Sequence, residues 1–167
     1  MSDIILSHGF FLAEDEKEQS VMRPHPPLGL MYLSSYLKQR GMTVELFDST
    51  FALRQQLYDL LEQASSKILG LYTNLMTRPS ILDIIKQAKK NGFTVILGGP
   101  ESANYIKEYL DHGADYIISG EGEHTLFELL YALHNGKNIC NISGISFYEK
   151  YHKIISNPTG ALPKSLY

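Results

Sequence analysis

The only thiol among the 167 residues is Cys140, and tryptophan is absent. One cysteine cannot close an internal disulfide. It also excludes a structural zinc or iron-sulfur site built by this chain alone, since either takes several thiolates or a Cys/His set at fixed spacing. Long apolar runs are missing too. No window approaches the ~20 consecutive apolar residues of a bilayer span, and no basic segment leads into an apolar stretch at the amino end, so a cytoplasmic protein is expected. An excess of positive charge is likewise lacking: 15 Lys and Arg against 18 Asp and Glu leave a formal net charge of -3. That offers no broad field to phosphate backbones or anionic lipid, so nucleic acid and membranes are not expected partners. Three motifs are absent as well. No Gly-x-x-x-x-Gly-Lys-Ser/Thr string occurs, which removes a triphosphate cradle. No Gly-x-Gly-x-x-Gly turn follows the first strand, which disfavours a dinucleotide, and no Ser sits in a Gly-x-Ser-x-Gly elbow.

What is present is an ordinary supply of core. Hydrophobic residues make up 44% and charged residues 20%, enough to bury one domain's interior and too balanced for disorder. Short aliphatic and β-branched runs alternate with stretches of helical period, the signature of stacked βα units. The runs predict strands over 3–8, 43–48, 67–72, 93–97 and 115–119. Most are apolar at both alternating positions, as in Ile68-Leu69-Gly70-Leu71-Tyr72, which suits a sheet covered on both faces. Five helices follow from spacings such as Leu30, Leu33, Leu37 and Ile81, Ile84, Ile85, Ala88. Right-handed crossovers then give a three-layer, doubly wound α/β fold of flavodoxin-like or Rossmann-like kind, a five-stranded parallel sheet ordered 2-1-3-4-5. Residues 144–148 and 153–156 predict a β-hairpin. From Asn157 onward, Pro158, Gly160 and Pro163 read as an extended linker, so the chain is expected to divide into 1–142 and 143–167.

In such sheets ligands bind beyond the strand carboxyl ends, which directs attention to the loops 8–27, 73–78, 98–102 and 120–124. The first is long for a βα connection and ends in Pro24-His25-Pro26-Pro27-Leu28-Gly29. Its prolines either stiffen the approach to the helix or shape a site. Thr73-Asn74-Leu75-Met76-Thr77 gathers two hydroxyls and an amide at a helix amino end, more than one cap needs. Gly98-Gly99, with Pro100 and Glu101 behind it, either makes a tight turn or lets a flat ligand approach the backbone. Gly120-Glu121-Gly122-Glu123 opens the last helix, where carboxylates complement the helix dipole and would repel a triphosphate. His8 and His25 lie in the first loop without a carboxylate at ligand spacing, so neither is expected to bind metal or catalyse. Cys140 lies away from this edge and is expected to be a buried, inert thiol.

Taken in order, Pro26-Pro27-Leu28-Gly29-Leu30 with Tyr32-Leu33, Gly70 to Leu75, Val95 to Pro100, and Gly113-Ala114-Asp115-Tyr116-Ile117-Ile118-Ser119-Gly120-Glu121-Gly122-Glu123 resemble a known family. It is the cobalamin-binding domain that precedes the radical S-adenosylmethionine (SAM) core of many bacterial and archaeal enzymes. The resemblance spans residues 3–148. It implies a corrin ring on the carboxyl edge with its nucleotide tail beside the sheet. The cofactor would be held by Pro27, Leu28, Gly29, Thr73, Asn74, Leu75, Thr77, Gly98, Gly99, Pro100, Glu101, Gly120, Glu121, Gly122 and Glu123. The Asp-x-His-x-x-Gly string of relatives that place a histidine under cobalt is absent, as is the Cys-x-x-x-Cys-x-x-Cys of the radical core. The 4Fe-4S cluster, S-adenosylmethionine and the methyl-transfer or carbon-skeleton chemistry are therefore expected of a separate domain, this chain being a fragment or a free-standing module with no catalytic residue of its own. Two other readings use the same edge. One is a corrinoid-free interaction or regulatory module. The other, a flavin carrier, is disfavoured by the lack of a phosphate-cradling loop after the first strand.

Overall fold

Five short aliphatic runs pair in parallel at the centre of the molecule, in a computed structural model that describes residues 2–159. They are β1 (Ile4–His8), β2 (Val44–Leu46), β3 (Ile68–Tyr72), β4 (Thr94–Gly98) and β5 (Tyr116–Ile118), in the order β2-β1-β3-β4-β5. Each lies within a residue or two of its predicted span, and the order is the expected one. The hairpin forms from β6 (Ile145–Glu149) and β7 (Lys153–Ser156). Rather than standing apart, it pairs antiparallel with β5 and extends the sheet to seven strands. The reason is burial: Ile145 and Phe147 join the same apolar cluster as β1, β4 and β5. Residues 157 and 158 stay attached, the Asn157 amide donating to the Ile145 carbonyl and the Gly144 amide to the Pro158 carbonyl. Gly160 and Pro163, on which the linker expectation also rested, lie outside the described residues.

Alternation along the strands decides the layers. Ile4, Leu6, Ile96 and Ile118 face one way, against α2 (Leu28–Lys38) and α6 (Gly122–His134) through Leu30, Leu37, Leu126, Leu129 and Leu130. Ile5, Leu69, Val95, Leu97 and Ile117 face the other, against α3 (Arg54–Gln63), α4 (Arg78–Lys90) and α5 (Ile106–Asp111) through Leu57, Leu61, Ile84, Ile85 and Leu110. Burying each such side chain stabilises the fold by about 1.5–3 kcal/mol, and parallel strands covered on both faces need the continuous apolar runs seen here. Pro79 sits at the start of α4, where its missing amide hydrogen costs nothing. Just beyond the end of α4, Gly92, with a φ of 75°, turns the chain into β4.

A helix absent from the sequence expectation is α1 (Glu16–Val21), inside the loop 8–27. The Asp15 carboxylate accepts from the Glu18 amide at 3.0 Å, and Glu16 and Glu18 sit in the first turn, so capping and dipole complementarity support it. None of its residues is buried, so it has no apolar period to read. The buried-thiol expectation is corrected: Cys140 is exposed, in the turn after α6, where its amide donates to Asn138 Oδ1. Among the described residues no helix is long and apolar enough to cross a membrane.

Candidate functional site

The site begins with a missing side chain in the middle of the sheet. Leu6, Gly70 and Ile96 stand side by side on β1, β3 and β4, facing α2 and α6. One row nearer the carboxyl edge, Tyr72 is paired with Gly98. Interior glycines in strands weaken the strand and mark close approach by something else. Here they floor a cavity of about 220 Å³ between the sheet and the two helices, walled by Leu30 and Leu33 of α2 and by Gly122 and Leu126 of α6. A side chain at Gly98 would meet nothing within 4 Å, and one at Gly122 would meet only Leu33 Cδ2 at 3.5 Å. The slot is apolar at depth and polar at its mouth, where Tyr72, Glu121 and Glu123 contribute the polar side chains.

Beside it, under the first loop, lies a second cavity of about 400 Å³. Gly29, Leu30 and Tyr72 line both. The outer cavity is bounded by the proline run, by Asn74 and Thr77, and by His8, Arg23 and His25. Asn74 and Thr77 hold each other: the Thr77 amide donates to Asn74 Oδ1 at 3.0 Å and the Asn74 amide to Thr77 Oγ1 at 3.2 Å, a reciprocal brace at the start of α4. His8 is equally occupied. Its Nδ1 accepts from the Phe10 amide at 3.2 Å, which makes Nε2 the protonated nitrogen that donates to Asp48 Oδ1 at 2.9 Å. Burial pulls the Asp48 carboxyl up, but hydrogen bonds from Thr50 and His8 outweigh it and hold the group below its ordinary value.

Behind the loops after β3 and β4 runs a buried polar strut. The Tyr109 hydroxyl donates to Glu101 Oε2, Thr73 Oγ1 lies 3.3 Å from the same oxygen and 3.2 Å from the tyrosine, and Arg78 bridges Glu101 and Glu108. Arg78 also lies over the Tyr105 ring, 3.9 Å from its centroid. Glu101 Oε1 has the Arg78 guanidinium 3.3 Å away yet makes no aligned hydrogen bond. Burial, together with the bond to Glu101, pushes the Tyr109 hydroxyl up to about 12.

The structure therefore sorts the residues singled out from sequence. Gly29, Gly98, Gly99 and the run from Gly120 to Glu123 line the slot, and Pro27, Leu28, Asn74 and Thr77 line the outer cavity. Leu75 stands exposed on the same edge, as do Leu28 and Met76. Thr73 and Glu101 are buried in the strut, and Pro100 is exposed in its loop. Gly99 is held by the fold itself. Its φ is 116°, and a side chain would fall 2.2 Å from the Thr73 carbonyl oxygen. Leu6, Gly70, Tyr72 and Ile96 were not among the residues expected to hold the cofactor, although all but Leu6 lie in the strings that carry the resemblance; a glycine inside an otherwise apolar strand was the available signal. Among the described residues no group of three or more His, Cys, Asp or Glu side chains could hold a metal ion.

Comparison with known proteins bears on what such a slot is for. The family model of the B12 binding domain matches residues 19–130. An uncharacterized methyltransferase of Synechocystis sp. is 29% identical over 112 residues, 67% of this chain and 20% of its own length. An uncharacterized methyltransferase of Pyrococcus horikoshii is 28% identical over 137 residues, 74% of this chain and 28% of its own. This chain thus spans between a fifth and somewhat over a quarter of those relatives. Among solved structures, the radical S-adenosylmethionine methyltransferase TsrM from Kitasatospora setae, with cobalamin and a 4Fe-4S cluster bound, superposes with a TM-score of 0.76 at 20% identity, covering 98% of this chain and 30% of its own. The cobalamin-dependent S-adenosylmethionine radical enzyme OxsB with aqua-cobalamin bound gives 0.75 at 22% identity, covering 95% and 22%. Both share the fold.

Proposed function

Because the chain belongs to the B12 binding domain family, we propose that it holds cobalamin along the carboxyl edge of its sheet, with the nucleotide tail in the slot and the corrin over the outer cavity. The observation that carries this reading is Gly98, which lines the slot and leaves open space where any other residue would place a side chain. The fit is one of size and character. An apolar cavity of about 150 Å³ accommodates benzene, so 220 Å³ has room for one fused bicyclic ring and not for a corrin, which needs the wider edge.

The residues divide the work. Gly29, Gly98 and Gly122 make room for the tail, while Leu30, Leu33 and Leu126 give its base an apolar wall. Pro27, Leu28 and Leu75 offer apolar surface to the corrin, and Asn74 with Thr77 fixes the turn that carries Leu75. Thr73, Tyr109, Glu101 and Arg78 brace the turns after β3 and β4 from behind. Glu121 and Glu123 stand at the mouth, suited to accept hydrogen bonds from sugar hydroxyls. Both ring nitrogens of His8 are engaged within the protein, so His8 would not be among the groups that hold the cofactor. When bound, cobalamin supplies a cobalt centre able to take up and hand on a methyl group.

The chain itself would carry the cofactor. A radical SAM domain, with its own 4Fe-4S cluster and S-adenosylmethionine, would be its partner, and methyl transfer or carbon-skeleton rearrangement the shared reaction, in a cytoplasmic setting. The similarity to enzymes of that class supports this partner. The test is direct: the purified chain is mixed with hydroxocobalamin, desalted and read in the visible range. Retained pigment near one equivalent is expected; a colourless protein fraction counts against the reading.

A further inference from the structure

We propose that the slot discriminates among corrinoids by their lower base, taking a benzimidazole-type base and disfavouring a purine. The inference rests on the corrinoid reading above and concerns what that site selects. Its basis is the separation of apolar from polar groups along the slot. Leu6, Leu30, Leu33, Ile96, Ile118 and Leu126 line it, and Leu6 and Ile96 belong to the deep row with Gly70. The polar side chains, Tyr72, Glu121 and Glu123, belong to the mouth. Backbone groups offer little more at depth. The strands flooring the slot spend their amides and carbonyls on one another, and the Gly98 carbonyl accepts from the Thr73 amide at 2.9 Å.

A dimethylbenzimidazole carries methyl groups and a single free ring nitrogen into that space. An adenine carries an exocyclic amine and several ring nitrogens, each stripped of water with no partner waiting. Polar groups buried without hydrogen bonds are costly, and an apolar pocket discriminates by such differences roughly tenfold to hundredfold.

The experiment compares binding of three corrinoids to the 167-residue chain: hydroxocobalamin, its adeninyl analogue and cobinamide, which has no nucleotide tail. Hydroxocobalamin is expected to bind at least tenfold more tightly than either of the others. Leu33→Gln, which puts an amide on the half-buried wall, is expected to narrow the gap between the two bases severalfold. Equal affinity for the two nucleotide-bearing forms, with cobinamide weak, would overturn the selectivity and leave the corrinoid reading standing. Cobinamide binding as tightly as hydroxocobalamin would show that the tail does not use the slot. A gap unchanged in Leu33→Gln would trace the preference elsewhere, and no binding of any of the three would defeat the reading on which the inference rests.

Discussion

Gly98 stands beside Tyr72 across the β3–β4 pairing, and no atom lies within 4 Å of the point its side chain would occupy. Its neighbour Gly99 is the opposite case, with φ at 116° and a would-be side chain 2.2 Å from the Thr73 carbonyl oxygen. Two adjacent glycines therefore differ, one bordering open space and the other letting two turns pass. Gly98→Leu is expected to abolish retention of cobalamin while changing folding stability by less than about 1 kcal/mol, as for substitutions that disturb no packing. Gly99→Ala is expected to cost roughly 2 kcal/mol or more through backbone strain and steric conflict. Urea denaturation beside pigment retention separates the two effects. A Gly98→Leu protein that unfolds as readily as Gly99→Ala would remove the distinction.

The strut predicts a dependence on alkaline pH. Burial and the bond to Glu101 raise the Tyr109 hydroxyl from 10.0 to about 12. An acid whose folded value lies above its unfolded value contributes stability that is complete below the unfolded value and is lost as pH rises through the folded one. Denaturation midpoints should therefore fall between about pH 10 and 12. Tyr109→Phe should flatten that fall, leaving the part due to Tyr116, which burial also raises, and to Tyr148, which its hydrogen bond to Asp111 raises. At neutral pH the same substitution should cost about 1–3 kcal/mol, because Glu101 Oε2 loses a buried donor. An unaltered alkaline slope in Tyr109→Phe would show that the hydroxyl is not the group responsible.

Much of this architecture was legible because parallel strands under two helical layers write themselves as continuous apolar runs. That is why β1, β3 and β4 came out within a residue of their spans and the order of five strands followed. Helix α1 was illegible for the converse reason: a short helix with no buried residue depends on Asp15 and leaves no periodic trace. The docking of β6 and β7 onto β5 was hidden too, since Ile145 and Phe147 look the same in a free hairpin as in one that completes a sheet. At the site, the turn glycines and Glu121 to Glu123 were visible as clusters at the strand ends. Gly70 was not counted among the site residues, because its meaning comes from its neighbours Leu6 and Ile96 on strands 64 and 26 residues away, relations that only the register supplies.

Gly70 also permits a measurement of how deep the guest reaches. A side chain there would lie 2.6 Å from Leu6 Cδ2 and 3.1 Å from Ile4 Cδ1, both free ends of flexible side chains. Gly70→Ala is therefore expected to fold, because added bulk costs about 1–3 kcal/mol and the loss of glycine's unfolded-state freedom returns about 0.4–1 kcal/mol. Leu6 already lines the slot, so its displaced tip has that space to move into, and the slot becomes shallower from the floor. A tail that reaches the row of Leu6, Gly70 and Ile96 must then bind less tightly, with cobalamin affinity reduced several-fold but not abolished as in Gly98→Leu. If Gly70→Ala binds cobalamin as the parent does, the tail stops at the level of Gly98, beside Tyr72 and the glutamates. Discrimination between lower bases would then have to come from those polar groups at the mouth, and a purine would no longer be disfavoured.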